Sequence, residues 1–158
     1  MGQIKLKKGV NLGGWMSQCD YSEERLNGFI TEEDIKKIAS WGMDHVRLPV
    51  DYNVIQNEDG SMKEEGLERI DKAIGWTKKH GMRIILDLHK TMGYSFDKGE
   101  NEAGFFGDER LQEYFYRIWE TLASRYGDRP RISVEDAWQR SNTCYDARFF
   151  ACTIRQDI

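Results

Sequence analysis

Short apolar runs alternate with segments of helical periodicity along most of the chain. The apolar runs are centred near residues 10, 46 and 85, with a weaker run near residue 132. After each of the first three runs, apolar residues recur three and four positions apart, which is the spacing of one helix face. Strands that alternate with helices in this way indicate βαβ units and a parallel sheet.

Local signals set the limits of these predicted elements. The first strand covers residues 9–12 and ends at two glycines, and a helix then begins after Thr31 and stops at Gly42. The second strand covers residues 45–50, with Pro49 at its end because proline cannot donate a hydrogen bond to a central strand. The next helix ends at His80 and Gly81, the third strand covers residues 83–89, and a third helix covers residues 111–122. We expect the helices to turn apolar stripes inward (Ile35, Ile38, Ala39 and Trp41 or Met43; then Leu67, Ile70, Ile74 and Thr77; then Leu111, Phe115, Ile118, Trp119 and Leu122).

Polar side chains cluster where the second and third predicted strands end. They are Arg47, Asp51, Tyr52, Asp87 and His89. In parallel sheets, open or closed, ligands bind at the carboxyl ends of the strands, so we expect the functional site there. The even strand spacing suits a barrel of repeated βα units, although an open doubly wound sheet would show the same spacing.

Composition and charge exclude several classes of function. The chain has 158 residues and a net charge of −4, which argues against nucleic acid as a partner. No apolar run approaches the ~18–20 residues of a membrane helix, so no membrane partner is expected. The basic start lacks the apolar stretch of a signal peptide, which favours a cytoplasmic location. Cys19, Cys144 and Cys152 fit neither a disulfide framework nor a zinc site and are expected to be free thiols.

Common cofactor and nucleophile motifs are missing from the sequence. The segment from Gly9 to Gly14 lacks the glycine spacing of a nucleotide loop and the lysine of a P-loop. The three histidines have no metal-ligand spacing, and no serine lies in a nucleophile elbow. We therefore expect neither a metal nor a cofactor.

Four blocks of sequence, in order and at their spacing, resemble the cellulases and exo-glucanases of glycoside hydrolase family 5. The blocks are residues 9–15, 29–35, 44–52 and 86–96, continued by Trp119 through Arg125 and Tyr126. The resemblance covers residues 4 to about 128. It implies a (β/α)8 barrel that hydrolyses β-linked glucans with retention and without a metal.

The resemblance also assigns roles to residues of the strand-end cluster. Arg47 matches the arginine beside the family's nucleophile, and His89 matches the histidine that contacts the sugar next to the cleaved bond. The alternative for Arg47 is a salt bridge with Asp51 or Asp87, and for His89 a packed, hydrogen-bonded histidine. Candidate sugar-stacking residues are Trp15, Tyr52 and Tyr94, with core packing as the alternative for each, whereas Trp41, Trp76 and Trp119 are expected to pack in the core or between helix and sheet.

The sequence departs from the family pattern where its fourth strand should end. Aligning residues 131–135 with that strand places Trp138 and Gln139 where the family has asparagine and the acid/base glutamate. Glutamine cannot donate a proton to a leaving oxygen, and Glu135 falls at a position that the family uses structurally. Nothing after it resembles strands five to eight, so the nucleophile is also missing. We expect this chain to lack both catalytic glutamates and to be inactive by itself.

Residues 129–158 differ in composition from residues 1–128. They contain five arginines and no lysine. We divide the chain into residues 1–128, the N-terminal half of a family 5 barrel, and residues 129–158, an atypical tail with a disrupted strand 4 region. A disrupted reading frame would explain this tail, and a natural surface segment is the alternative.

A complete barrel of this kind takes about 250 residues, so the chain corresponds to about four of the eight βα units. Exposed strand edges and an uncovered apolar interior then predict low solubility, dimerisation or aggregation. Two alternatives to a truncated hydrolase remain. One is a non-catalytic glucan-binding half-barrel, and the other is a half-barrel that pairs with itself or with a missing half.

Overall fold

The fold is built on one parallel β-sheet with helices in the connections. The computed structural model describes residues 6–95 and 104–127, together with the backbone of residues 132–136. In chain order the elements are β1 (Gly9–Asn11), α1 (Glu23–Gly28), α2 (Glu32–Ser40), β2 (His45–Asp51), α3 (Tyr52–Ile55), α4 (Glu64–Lys79), β3 (Arg83–Lys90), a 3-10 turn (Phe105–Gly107), α5 (Glu109–Tyr126) and β4 (Ile132–Asp136).

The four strands lie side by side in the order in which they occur along the chain. All three neighbouring pairs are parallel, and β4 pairs with β3 as the weak apolar run near residue 132 predicts. A doubly wound sheet reverses its strand order at a switch point, whereas a (β/α)8 barrel adds each strand beside the last. The described sheet is therefore part of such a barrel, which confirms the predicted fold class over the doubly wound alternative.

The two faces of the sheet differ in polarity because side chains alternate along each strand. One face is apolar and buried against the helices, and Val46, Leu48, Ile84 and Leu86 on it are at most 1% exposed. The helices meet this face with the predicted stripes, which include Ile35, Ile70 and Ile118. The other face belongs to the barrel interior and carries the polar residues described below.

The second helix, α2, has the predicted start and stop signals. The Asp34 carboxylate accepts hydrogen bonds from the backbone N–H and the hydroxyl of Thr31, each at 2.8 Å. Gly42 follows the helix with φ of 76°, a conformation that glycine adopts without strain. The expectation of an inward Trp41 is wrong, because the helix ends at Ser40 and Trp41 is 59% exposed. Trp76 and Trp119, in contrast, are half-buried and pack against the core as predicted.

Pro49 lies inside β2, not at its end as predicted. The N–H of Leu12 donates to the Arg47 carbonyl at 2.9 Å, and the N–H of Asp51 donates to the Met16 carbonyl at 2.9 Å. Between these two bonds the first strand's chain leaves the sheet. Residues 47, 49 and 51 turn their backbone N–H and C=O positions to the side of β1. Pro49 therefore faces the gap in that strand, and the N–H that proline lacks costs the sheet no hydrogen bond.

No helix in the described ranges is long and apolar enough to cross a membrane. Residues 137–158, with Gln139, Cys144 and Cys152, lie outside the described residues, and the division at residue 128 stays a prediction.

Candidate active site

Arg47 is the centre of a polar group on one face of the first three strands, which begins at the carboxyl end of β1 and reaches the end of β3. Its Nη1 donates to Asn11 Oδ1 at 2.6 Å, and its Nη2 donates to Asp87 Oδ2 at 2.5 Å. Asn11 and Arg47 are register partners on β1 and β2, and Asp87 lies two residues beyond Ile85, the β3 partner of Arg47. All three side chains therefore arise from one face of the sheet.

Asp87 is a buried anion whose charge is balanced by Arg47. Its side chain is 3% exposed, whereas that of Arg47 is 25% exposed and reaches the open side of the group. Charge-assisted hydrogen bonds of this length are among the stronger ones in proteins, and a carboxylate without such a partner would be costly to bury. The ion pair considered as an alternative for Arg47 thus forms with Asp87.

His89 completes the group from the end of β3. Its Nδ1 lies 3.2 Å from Asp87 Oδ2 and 3.4 Å from Arg47 Nη2. When Nδ1 carries the proton it donates to Asp87, and Nε2 is then an acceptor on the other edge of the ring. Its side chain is 21% exposed, so His89 is fixed by Asp87 at Nδ1 and remains partly accessible to solvent.

The three aromatic candidates have different surroundings. Trp15 is 2% exposed, its indole N–H donates to the Leu26 carbonyl at 2.8 Å, and its ring stacks on Trp76. A ring buried in this way has no face for a sugar, so Trp15 takes the alternative role of core packing. Tyr52 and Tyr94 are half-buried, and Tyr94 makes an edge-to-face contact with the exposed Phe106.

Asp51, which also ends β2, belongs to a separate group. It is 1% exposed and accepts hydrogen bonds from the Tyr21 hydroxyl at 2.5 Å and the Gln18 N–H at 2.9 Å. Burial and the hydrogen bond to this carboxylate raise the pKa of Tyr21 far above its usual range. The group fixes the loop after β1 to the end of β2. Asp51 thus pairs with this loop, whereas Arg47 pairs with Asp87.

Sequence reasoning singled out Arg47, Asp87 and His89 but missed Asn11. The signal was present, because residues 9–11 form the first strand and Asn11 is its last residue, level with Arg47 in the sheet.

Within the described parts of the chain, no group of three or more histidine, cysteine or acidic side chains could hold a metal ion. β4 brings the backbone of Glu135 into register with Asp87. Gln139, aligned with the acid/base position, lies outside the described residues.

A guanidinium, a carboxylate and a histidine thus converge at the strand ends of a partial (β/α)8 barrel. The family model "Cellulase (glycosyl hydrolase family 5)" matches residues 6–137. The chain belongs to glycosyl hydrolase family 5. The resemblance inferred from the four sequence blocks is confirmed, with a match that extends into β4.

Similar proteins include one named as a cellodextrinase and one named as an endoglucanase. The chain is 61% identical over 120 residues to cellodextrinase A of Ruminococcus flavefaciens, covering 76% of this chain and 36% of the relative. It is 43% identical over 136 residues to endoglucanase C of Acetivibrio thermocellus, covering 84% of this chain and 39% of the relative. The chain therefore spans well under half the length of these relatives.

Solved structures agree on the fold. The structure of Thermotoga maritima Cel5A in complex with cellobiose superposes with a TM-score of 0.64 at 23% identity, covering 83% of this chain and 40% of that one. At this identity the likeness concerns the fold alone, which is part of a (β/α)8 barrel.

Proposed function

We propose that this family 5 chain forms the sugar-binding half of a retaining β-glucan hydrolase site, with Arg47 and His89 binding the glucan beside the bond that is cleaved. The observation that carries the proposal is the Arg47–Asp87–His89 group at the strand ends of a family 5 barrel. Relatives named cellodextrinase and endoglucanase support a β-linked, cellulose-type glucan as the substrate class.

The arrangement suits recognition of sugar hydroxyls. Asp87 holds His89 and Arg47 in fixed positions through bonds of 3.2 and 2.5 Å. Groups held in place before binding lose less conformational entropy when a ligand arrives. A guanidinium can only donate hydrogen bonds, whereas the histidine Nε2 can accept one when Nδ1 carries the proton. Together they match a sugar hydroxyl, which both accepts and donates hydrogen bonds.

We also propose that the 158-residue polypeptide does not hydrolyse glucan by itself. Retention requires two carboxyl groups about 5–5.5 Å apart, one as acid/base and one as nucleophile. Asp87 is buried, and its negative charge is compensated by Arg47. The position aligned with the acid/base glutamate holds Gln139. Arg47 would orient the nucleophile of a complete site, since a guanidinium keeps a nearby carboxylate ionised.

Hydrolysis is tested by the release of reducing sugar from carboxymethyl-cellulose and barley β-glucan. The polypeptide is expected to match a heat-killed control. Release above that control would contradict the proposed inactivity and would leave the family assignment unchanged.

Binding is tested by calorimetry with cellotetraose. We expect saturable binding by the unaltered chain and its loss in His89→Ala. The matched control is His80→Ala, whose ring contacts Glu32 at 3.2 Å on the helical side of the fold. Absence of heat with the unaltered chain, or equal loss in both variants, would refute the binding role.

A further inference from the structure

Asn11 holds the Arg47 side chain from the side opposite Asp87. Arg47 Nη1 donates to Asn11 Oδ1 at 2.6 Å, whereas Nη2 donates to Asp87 Oδ2 at 2.5 Å. Asn11 lies on β1 and Asp87 on β3, the two strands that flank β2 in the sheet. The guanidinium is therefore anchored through both of its terminal nitrogens, from two different strands.

Two anchors determine the orientation of a guanidinium, whereas one does not. The group is planar, and its five N–H donors form a rigid fork. A bond to Asp87 alone would leave the plane free to swing about that contact. The second bond, to Asn11, removes this freedom. The remaining donors of Arg47 then point in fixed directions before a ligand arrives, which lowers the entropy lost on binding.

The amide of Asn11 is itself held in place by its neighbours in the chain. Asn11 is the register partner of Arg47, and the N–H of Leu12 donates to the Arg47 carbonyl at 2.9 Å. A Cβ at Gly13 would lie 3.0 Å from Asn11 Nδ2, so the absence of a side chain there leaves room for the amide. Because a guanidinium only donates, the amide oxygen must face Arg47.

The contact between Asn11 and Arg47 matters little for stability. Asn11 is exposed, and substitutions on the surface usually change the free energy of unfolding only slightly. Asp87 is the buried partner of Arg47 and balances its charge without Asn11. What Asn11 adds is the direction of the guanidinium.

An amide also fixes Arg47 without adding a charge. The pair of Arg47 and Asp87 already consists of one cation and one anion. An aspartate at position 11 would place a second carboxylate on the guanidinium and weaken the positive potential on the open side of the group. A neutral acceptor leaves that potential to the ligand.

We propose that Asn11 is a positioning residue, which fixes the plane of the Arg47 guanidinium in the sugar-binding group. The ligand that this positioning serves, a β-glucan, rests on the proposed function. The positioning itself rests on the two anchors and can be measured without any glucan.

Nuclear magnetic resonance of isotope-labelled arginine side chains measures the positioning directly. Rotation about the Nε–Cζ bond interchanges Nη1 and Nη2, and in Arg47 it must break the bonds to both Asn11 and Asp87. We expect separate Nη signals for Arg47, and about tenfold faster interchange in Asn11→Ala because one bond to a charged group is lost. Asn11→Asp keeps an acceptor oxygen and should restore slow interchange. The rotation is local to one side chain, so a monomer and a dimer report it equally.

Asn27→Ala is the matched control for these variants. Asn27, on α1, is also exposed and also accepts from an arginine, with its Oδ1 3.2 Å from Arg69 Nε. Its removal should leave the interchange in Arg47 unchanged.

Gly13→Ala is a second variant, which keeps Asn11 and displaces its amide. The nearest atom to the added Cβ is the end of the Asn11 side chain, so the amide has to move. We expect faster interchange in Arg47 here as well. Gly28→Ala is the control, because a Cβ on Gly28 meets nothing within 4 Å.

Calorimetry with cellotetraose tests what the positioning serves. We expect Asn11→Ala to bind about fivefold more weakly than the unaltered chain, because Arg47 must then be ordered during binding. Its thermal melt should match that of Asn27→Ala.

The outcomes separate this inference from the proposed function. Unchanged interchange in Asn11→Ala, or fast interchange in Asn11→Asp, would overturn the positioning role whatever the chain binds. Faster interchange in Asn11→Ala with unchanged affinity for cellotetraose would overturn its part in sugar binding. Faster interchange in Asn11→Ala, without any binding by the unaltered chain, would refute the proposed function and leave the positioning of Arg47 by Asn11 supported.

Discussion

At the scale of single residues, the Arg47–Asp87 pair links function to stability. Replacing Arg47 with methionine removes the partner of a carboxylate that is 3% exposed. An unpaired buried charge of this kind costs about 3 kcal/mol in the free energy of unfolding. We expect a urea titration of Arg47→Met at pH 7 to show a loss of about this size.

The matched control for this change is Arg110→Met. Arg110 pairs with Asp108 at 3.4 Å, but the two side chains are 69% and 39% exposed. Exposed pairs contribute about 0–1 kcal/mol, so this variant should unfold close to the unaltered chain. An equal decrease in the free energy of unfolding in both variants would show that the burial of Asp87 does not determine the effect of Arg47→Met.

The sequence predicted which polar residues share the site but not how they pair. Arg47, Asp87 and His89 follow from their places at strand ends, because parallel strands end at one edge of a sheet. Whether Arg47 contacts Asp51 or Asp87 depends on the register of β2 against β3 and on Tyr21, which engages Asp51 from a distant loop. Trp15 was ambiguous because the sequence does not show that its ring stacks on Trp76.

At the scale of elements, two glycines of α4 are predicted to respond oppositely to alanine. A Cβ on Gly66 would lie 2.0 Å from the Val54 carbonyl oxygen of α3, whereas one on Gly75 meets nothing within 4 Å. We expect Gly66→Ala to lower the free energy of unfolding by about 1–3 kcal/mol, because backbone must shift. Gly75→Ala should raise it by about 0.5–1 kcal/mol through helix propensity. Thermal melts of the two variants check this, and a neutral Gly66→Ala would show that α3 and α4 separate easily.

The junction of β1 and β2 gives a pH-dependent prediction. Hydrogen bonds from the His45 ring at 2.6 Å, and from the N–H groups of Lys7 and Lys8, lower the pKa of Asp44. A lowered folded-state pKa stabilises the fold above the unfolded pKa of about 3.9, and this contribution is lost as pH falls through the folded value. Asp44→Asn should therefore be less stable than the unaltered chain at pH 7, with the difference shrinking below about pH 4.

Urea titrations between pH 7 and pH 2.5 measure that difference. Glu33→Gln is the control, because Glu33 forms an exposed ion pair with Lys36, with side chains 79% and 59% exposed. A deficit in Asp44→Asn that stayed constant across this range would contradict the role of its charge.

Long periodic elements were predictable, and short or interrupted ones were not. α2, α4, α5 and β3 carry apolar runs or apolar spacing of their own, and the structure confirms them. α1 and α3 have 6 and 4 residues, too few to show a helical period, and tertiary packing determines them. Pro49 was misplaced because the gap in its neighbouring strand is a property of the sheet and not of β2.

At the scale of the whole molecule, the inner face of the sheet is more polar than the sequence suggested. The sequence predicts an uncovered apolar barrel interior. On the described strands this face instead carries Asn11, Arg47, Asp87 and His89, with Ile85 below them. Any association of the polypeptide therefore depends less on apolar surface than on backbone groups at the sheet edges.

The last prediction concerns those edges. Within the described residues, β1 pairs only with β2 and β4 only with β3, so among these residues the outer edges of β1 and β4 have no strand partner. Unpaired edges of this kind promote strand pairing between chains, and a family 5 barrel removes them by closing on itself. We expect multi-angle light scattering to show dimers or larger species of the 158-residue polypeptide, increasing with concentration. Because pairing through backbone is little screened by salt, the same species should persist in 0.5 M sodium chloride, whereas association through surface charge would dissociate. A monodisperse monomer with a cooperative thermal melt would mean that the edges are already covered, and would remove the physical basis for self-pairing.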